Sequence, residues 1–156
     1  MSALFSDCRR YRYLLTRELS GRRGPLLFVG LNPSTADETH NDPTIRRCIG
    51  FAESWGHSRL IVANLFAYRA THPKDLKTVR HPIGVENDRV LLRESREAQT
   101  VLLGWGVHGV YRNRHEEVLD LLSEHPLYCL GVTKAGHPRH PLYLRSDTPL
   151  LAYERK

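Results

Sequence analysis

Four short apolar runs, each closed by glycine, proline or a polar turn, constrain this chain more than any other feature. They are Leu26-Leu27-Phe28-Val29, Leu60-Ile61-Val62-Ala63, Thr100-Val101-Leu102-Leu103 and Leu127-Tyr128-Cys129-Leu130. Their apolarity is continuous rather than alternating, as strands buried on both faces require. Helical patterns lie between them. Ile45, Cys48, Ile49 and Ala52 repeat at one-face helical spacing, with Asp42 as N-cap, Pro43 at the first helical position and Gly56 as a stop. Glu86–Ala98 and Val110–Glu124 read as two further helices, the last ended by His125-Pro126. Strands alternating with helices imply βαβ units. The spacing therefore predicts a single α/β domain over residues 1–156, a three-layer sandwich about a mainly parallel four-stranded central sheet. Arg10–Leu19 alternates weakly and is expected to add an N-terminal edge strand.

Composition narrows the function classes. A chain of 156 residues, 40% hydrophobic and 26% charged, suits one core and excludes a disordered or fibrous chain. No apolar run is long enough to span a bilayer, and Met1–Asp7 lacks a secretory stretch, so a cytoplasmic protein without a membrane partner is expected. Cys8, Cys48 and Cys129 are odd in number and far apart, which speaks against a disulfide framework, a CxxC zinc site or a four-cysteine cluster. The net charge of +6 is dominated by arginine and favours polyanionic partners, although proteins that never touch nucleic acid also reach it.

In a parallel sheet, ligands sit beyond the carboxyl ends of the strands. Gly30-Leu31-Asn32-Pro33-Ser34 can form a stiff turn with the Asn32 carboxamide aimed into that crevice, or an Asx-type turn that satisfies only local backbone. Asp37, Glu38, His40 and Asp42 form a polar loop that reads as solvated rather than as a metal site. Asn64 ends the second strand, and its amide offers a donor and an acceptor side by side, suited to a base edge or to capping the next turn. Phe66 and Tyr68 can stack on a base or fill the core. Gly104-Trp105-Gly106-Val107-His108-Gly109 matches GxGxxG, but the following strand ends in Val132-Thr133-Lys134 without the acidic residue a ribose needs, so a plain glycine-rich turn is expected. Gly136–Leu144 carries two His-Pro pairs with Arg139 between them. Imidazole there is a natural donor to developing negative charge near neutral pH.

Taken together, Phe28–Ser34 (FVGLNPS), Asn41–Gly50 (NDPTIRRCIG), Asn64–Thr71 (NLFAYRAT), Gly104–Gly109 and Pro138–Leu144 (PRHPLYL) closely resemble the bacterial domain-of-unknown-function family 1643, a name that carries no activity. The same order of segments is similar to the uracil-DNA glycosylase superfamily. Gly30-Leu31-Asn32-Pro33 looks like that superfamily's first motif in its mismatch-specific branch, and His140-Pro141-Leu142 like its later His-Pro motif. Asn32 stands where the most active branch has an Asp, Ser34 where an aromatic or glycine is usual, and His137 rivals His140 for the histidine role.

This second resemblance implies a glycosylase-like hydrolase that cleaves the N-glycosidic bond of a flipped base, with no cofactor and no metal. It implies that Asn32 positions the attacking water and His140 stabilises the departing base. Gly30, Leu31, Pro33, Ser34, Asn64, Phe66 and His137 become candidates for substrate binding. Arg46, Arg47 and Arg139 become candidates for phosphates, and Leu142 or Tyr143 for filling the gap in the stack. The expected partner is nucleic acid, DNA ahead of RNA, or a nucleotide, met by a monomer. The alternatives are a non-catalytic nucleic-acid or nucleotide binder and an enzyme acting on free nucleotides.

Overall fold

A computed structural model describes residues 2–155. Its order of elements is β1 (Ser2–Phe5), β2 (Arg12–Glu18), β3 (Leu26–Gly30), α1 (Pro43–Ser54), β4 (Arg59–Asn64), α2 (Asn87–Glu97), β5 (Thr100–Leu103), α3 (Arg114–Leu121), β6 (Tyr128–Cys129) and β7 (Leu151–Ala152). Two 3-10 segments, Pro73–Thr78 and Val107–Asn113, lie in the connections. The strands form one sheet in the order β1-β2-β4-β3-β5-β6-β7.

The four apolar runs occupy the middle of that sheet. β3 pairs in parallel with β4 on one side and β5 on the other, and β5 pairs in parallel with β6. The fold class is α/β as expected, but the sheet has seven strands and is mixed. β2 joins β4, β1 joins β2, and β7 joins β6, each antiparallel. The expected strand at Arg10–Leu19 forms as Arg12–Glu18, but β1 covers it, so it is not the edge. β1 and β7 escape the pattern because short antiparallel edges need no continuous apolar run.

Successive residues of each central strand face opposite layers. Leu27, Val29, Ile61, Ala63, Val101 and Leu103 pack with Leu91 of α2 and Val118 and Leu119 of α3. Leu26, Phe28, Leu60, Val62 and Leu102 pack with Ile45, Cys48, Phe51 and Ala52 of α1. The result is three layers, with α1 on one face and α2 and α3 on the other. Cys48 and Cys129 are buried and unpaired, Cys8 is exposed and unpaired, and burial pushes the Cys48 thiol up.

α1 begins as predicted. Asp42 Oδ1 accepts from Ile45 N at 2.9 Å, Pro43 opens the helix, and Gly56 lies just past its end with φ of +81°. The helix predicted over Val110–Glu124 is shorter. Arg112 and Asn113 both adopt positive φ and break the 3-10 segment from α3, which starts only at Arg114. The strand predicted over Leu127–Leu130 is reduced to Tyr128–Cys129.

Asp42→Ala is expected to cost about 1–2 kcal/mol by removing the cap. Asp42→Asn, which keeps an acceptor at that place, recovers most of the loss in a thermal melt. Equal loss in both variants would assign the effect to the carboxylate charge instead.

Candidate functional site

The carboxyl ends of β3, β4 and β5 open onto a cavity of about 590 Å3. Its wall includes Gly30, Leu31, Asn32, Pro33, Ser34, Asn64, His140 and Leu142, so eight residues singled out from the sequence meet at one place. They arrive from three segments that are far apart in the chain, and the parallel register explains the meeting. Gly30 is paired with Asn64 at the ends of β3 and β4. The pairing continues into the loops, with Leu65 N donating to Gly30 O, Phe66 N to Leu31 O and Ala70 N to Pro33 O. The His-Pro loop is brought over by Gly106 N donating to Pro138 O.

Asn64 is 4% exposed, and its Nδ2 has no hydrogen-bond partner among the described residues. A buried, unpaired amide donor carries a desolvation cost that a ligand acceptor would relieve. Gly30 makes the room: a Cβ there would lie 2.8 Å from Asn64 Oδ1 and 3.0 Å from the Phe28 ring. The strand end is backed from behind. Asn87 Nδ2 donates to the carbonyls of Asn64 and Leu65 at 2.8 and 3.0 Å, and buried Arg114 donates through Nε to Leu65 O at 2.8 Å. Arg114 is itself held by Asp88 and Glu117.

The Asn32 amino group donates to Ala70 O at 2.7 Å and Pro33 O at 3.0 Å. Two carbonyl partners fix which end of the amide is nitrogen. Oδ1 is then the end with no donor among the described residues. The amide thus fastens the turn through its nitrogen, in a residue that lines the cavity.

His140 Nδ1 accepts from Leu142 N at 3.1 Å, so the proton of the neutral ring sits on Nε2. Burial lowers the pKa of His140, with Asp42 opposing that shift weakly. The ring is therefore a neutral donor at neutral pH.

Several wall residues were not anticipated. Arg12 is almost completely buried, donates through Nη1 to Ala36 O at 3.0 Å, and leaves Nε without a partner among the described residues. Burial lowers its pKa to about 10 against the opposing pull of Asp42. Asp42 reaches the cavity too, with Oδ2 accepting from Ala36 N. Phe28 and Trp105 contribute aromatic surface. A Cβ at Gly104 would come within 2.5 Å of the Phe28 ring, and one at Gly109 within 2.4 Å of the Trp105 ring. The GxGxxG spacing is thus a device for seating two aromatic rings.

Other candidates lie elsewhere. Phe66 does not line the cavity: it is completely buried in the opposite core and packs on Tyr111 at 5.7 Å between ring centroids. Tyr68 lies outside the cavity, edge-on to Tyr11. His137 packs edge-on against His115 at 5.7 Å, also away from the cavity. Arg46 donates to Asn41 O, Arg139 to Val132 O, and Arg47 to Leu144 O, and none of the three lines the cavity. Tyr143 stands 93% exposed with φ of +72°, next to Leu142 at the mouth. In the polar loop, Asp37 Oδ1 accepts from Thr39 N and His40 N, and Glu38 pairs with Arg9. Among the described residues, no group of three or more His, Cys, Asp or Glu is placed to hold a metal ion.

A protein family described as "Protein of unknown function (DUF1643)" matches residues 12–142, a span that runs from Arg12 to Leu142 and holds the whole cavity wall. The chain belongs to this family. No curated protein and no solved structure matches it. Among the described residues, no helix of this DUF1643 chain is long and apolar enough to cross a membrane.

One variant and one titration probe the geometry. Gly30→Ala forces the new methyl group against Asn64 and Phe28 and is expected to cost about 1–3 kcal/mol in a denaturant melt. His140 and fully buried His57 both have lowered pKa values, chiefly through desolvation. The unfolded chain then binds more protons below the ordinary imidazole value of 6.5. Stability is fully present above that pH and is lost as pH falls below it. Histidine resonances that titrate at or above the ordinary value would contradict this.

Proposed function

We propose that this protein hydrolyses the N-glycosidic bond of a nucleotide whose base is inserted into the cavity, in the manner of the uracil-DNA glycosylase superfamily that its motifs resemble. The observation that carries this reading is the convergence of Asn32, Asn64 and His140 on one cavity, with the Asn64 Nδ2 buried and unpaired. A cavity with an orphan amide donor favours a ligand with an acceptor on a flat polar edge, and a base edge has one. Phe28 supplies aromatic surface against which the face of a base can rest.

In this reading Asn64 hydrogen-bonds the base edge and selects among bases. Asn32 Oδ1 accepts from a water and aims its oxygen at the sugar C1′. An amide cannot take up a proton, so Asn32 is a positioner and turnover is slow. The C1′–N bond breaks, its electron pair leaves with the base, and the water oxygen bonds to C1′. The proton lost by the water passes to solvent, and the base anion takes up one proton from solvent as it leaves, so the products are the C1′ hydroxyl and the neutral base. His140 Nε2–H donates to that charge while it develops, which removes part of the barrier without a proton transfer. The Asp42 carboxylate faces the same space and favours the positive charge that builds on the sugar. Leu142 or exposed Tyr143 fills the gap left in the stack.

The other reading is a binder that holds a nucleic acid or nucleotide without cleaving it. It draws on one observation, that the Asn32 amino group is fully occupied in fastening the turn to Ala70. An assay of base release from single- and double-stranded oligonucleotides carrying uracil, hydroxymethyluracil, hypoxanthine or mismatched thymine separates the two. The expected result is release by the wild type, loss in Asn32→Ala, and a decrease of about 10²–10³-fold in His140→Ala if its hydrogen bond resembles an oxyanion donor. Binding without release from any of these substrates, at high enzyme excess, selects the binder.

A further inference from the structure

A second groove of about 670 Å3 adjoins the cavity. The two share the rim formed by Ser34, Thr35, Ala70 and Thr71. That rim is stitched together by Ala70 N donating to Pro33 O and Arg69 Nε donating to Ser34 O at 3.4 Å. A ligand seated in the cavity therefore has only this rim between it and the groove.

The groove holds two arginines, one paired with a carboxylate and one not. Arg9 and Arg69 both line it, and their guanidinium groups lie 3.9 and 4.9 Å from the centre of the Phe5 ring. Arg9 is neutralised by Glu38, which it meets through both nitrogens at 2.8 and 3.3 Å. Arg69 donates through Nε and Nη1 to the carbonyls of Ser34 and Arg9 at 3.4 and 3.3 Å, and has no carboxylate partner among the described residues. Its charge also reaches Arg12 and helps hold that pKa down. A guanidinium that no carboxylate pairs, held beside an aromatic ring, leaves a place for an external anion. The hydroxyls of Thr35, Thr71 and Thr78 line the same groove and can donate to oxyanions. Asp75 also faces it and opposes an anion there.

We propose that this groove is a phosphate subsite, with Arg69 as its anchor, for the backbone phosphate next to the nucleotide held in the cavity. The inference rests on the preceding reading of the cavity and deepens it, since it names the substrate as a phosphodiester chain rather than a free base or nucleoside. It also moves the phosphate contact away from Arg46, Arg47 and Arg139, which lie outside both openings. A guanidinium suits this role because its planar fork meets two phosphate oxygens at once.

The test is binding of a fluorescein-labelled, single-stranded, ten-residue oligonucleotide containing one deoxyuridine, measured by anisotropy over a range of salt. Loss of one phosphate contact lowers the slope of log affinity against log salt by about 0.7 for a single strand. Arg69→Ala is expected to show that smaller slope and weaker binding, Arg69→Lys to regain much of the slope, and Asp75→Asn to bind more tightly. Arg93→Ala, which removes a cation paired with Glu94 on α2, controls for general charge and also lowers the slope only if binding is diffuse. Melting temperatures establish that each variant is folded. A slope and affinity in folded Arg69→Ala equal to wild type overturn the subsite, as does an equal change in Arg93→Ala. Base release from the same oligonucleotide separates the two proposals: release with an unaltered Arg69→Ala removes the subsite alone, whereas a lost slope without release removes the hydrolase alone.

Discussion

Leu26–Gly30 is hydrogen-bonded to a parallel strand on each side, and that double pairing determines where the rest of the chain can go. A strand with two partners exposes no backbone edge, so its side chains must be satisfied by helices above and below. Its alternate residues accordingly divide between the two cores, Leu26 and Phe28 toward α1, Leu27 and Val29 toward α2 and α3. Parallel pairing also brings the ends of three strands to the same level. The loops that leave them share one space because their strands stop together.

What could be read in advance follows from that logic. Continuous apolar runs announced the four central strands, and the Asp42-Pro43 start announced α1, because these signals are local and chemically strong. Convergence of Asn32, Asn64 and His140 was foreseeable only as a consequence of strand order. Arg12 was hidden for a different reason: an arginine in an alternating segment reads as a solvated side chain, and its burial depends on the antiparallel docking of β2 against β4. The shortened α3 was equally out of reach, since two left-handed residues, Arg112 and Asn113, are not types whose sequence demands that conformation. Phe66 was open between stacking on a base and filling the core, and the structure selects the core. An aromatic two residues beyond Asn64 looked like part of the site, yet the chain past the strand end turns it into the core.

The cavity is unusual in its balance of polar groups. Asp42 caps α1 and at the same time stands as the carboxylate of the wall, so the start of a helix and the electrostatics of the opening are joined in one side chain. Arg12 counters it from β2 while keeping an unpaired Nε. Histidine is held neutral nearby by burial and by an amide that occupies its other nitrogen. The arrangement keeps donors ready without filling them from within, and a site that binds must do so.

Asn87 and Arg114 hold the Asn64 and Leu65 carbonyls from the far side of the sheet, and neither touches the Asn64 amide itself. The backbone at this position is therefore anchored independently of the side chain it carries. A different residue at position 64 could change the polar groups of the cavity wall while the strand and its neighbours stayed in place. At this strand end the architecture and the chemistry of the cavity wall rest on different atoms of one residue.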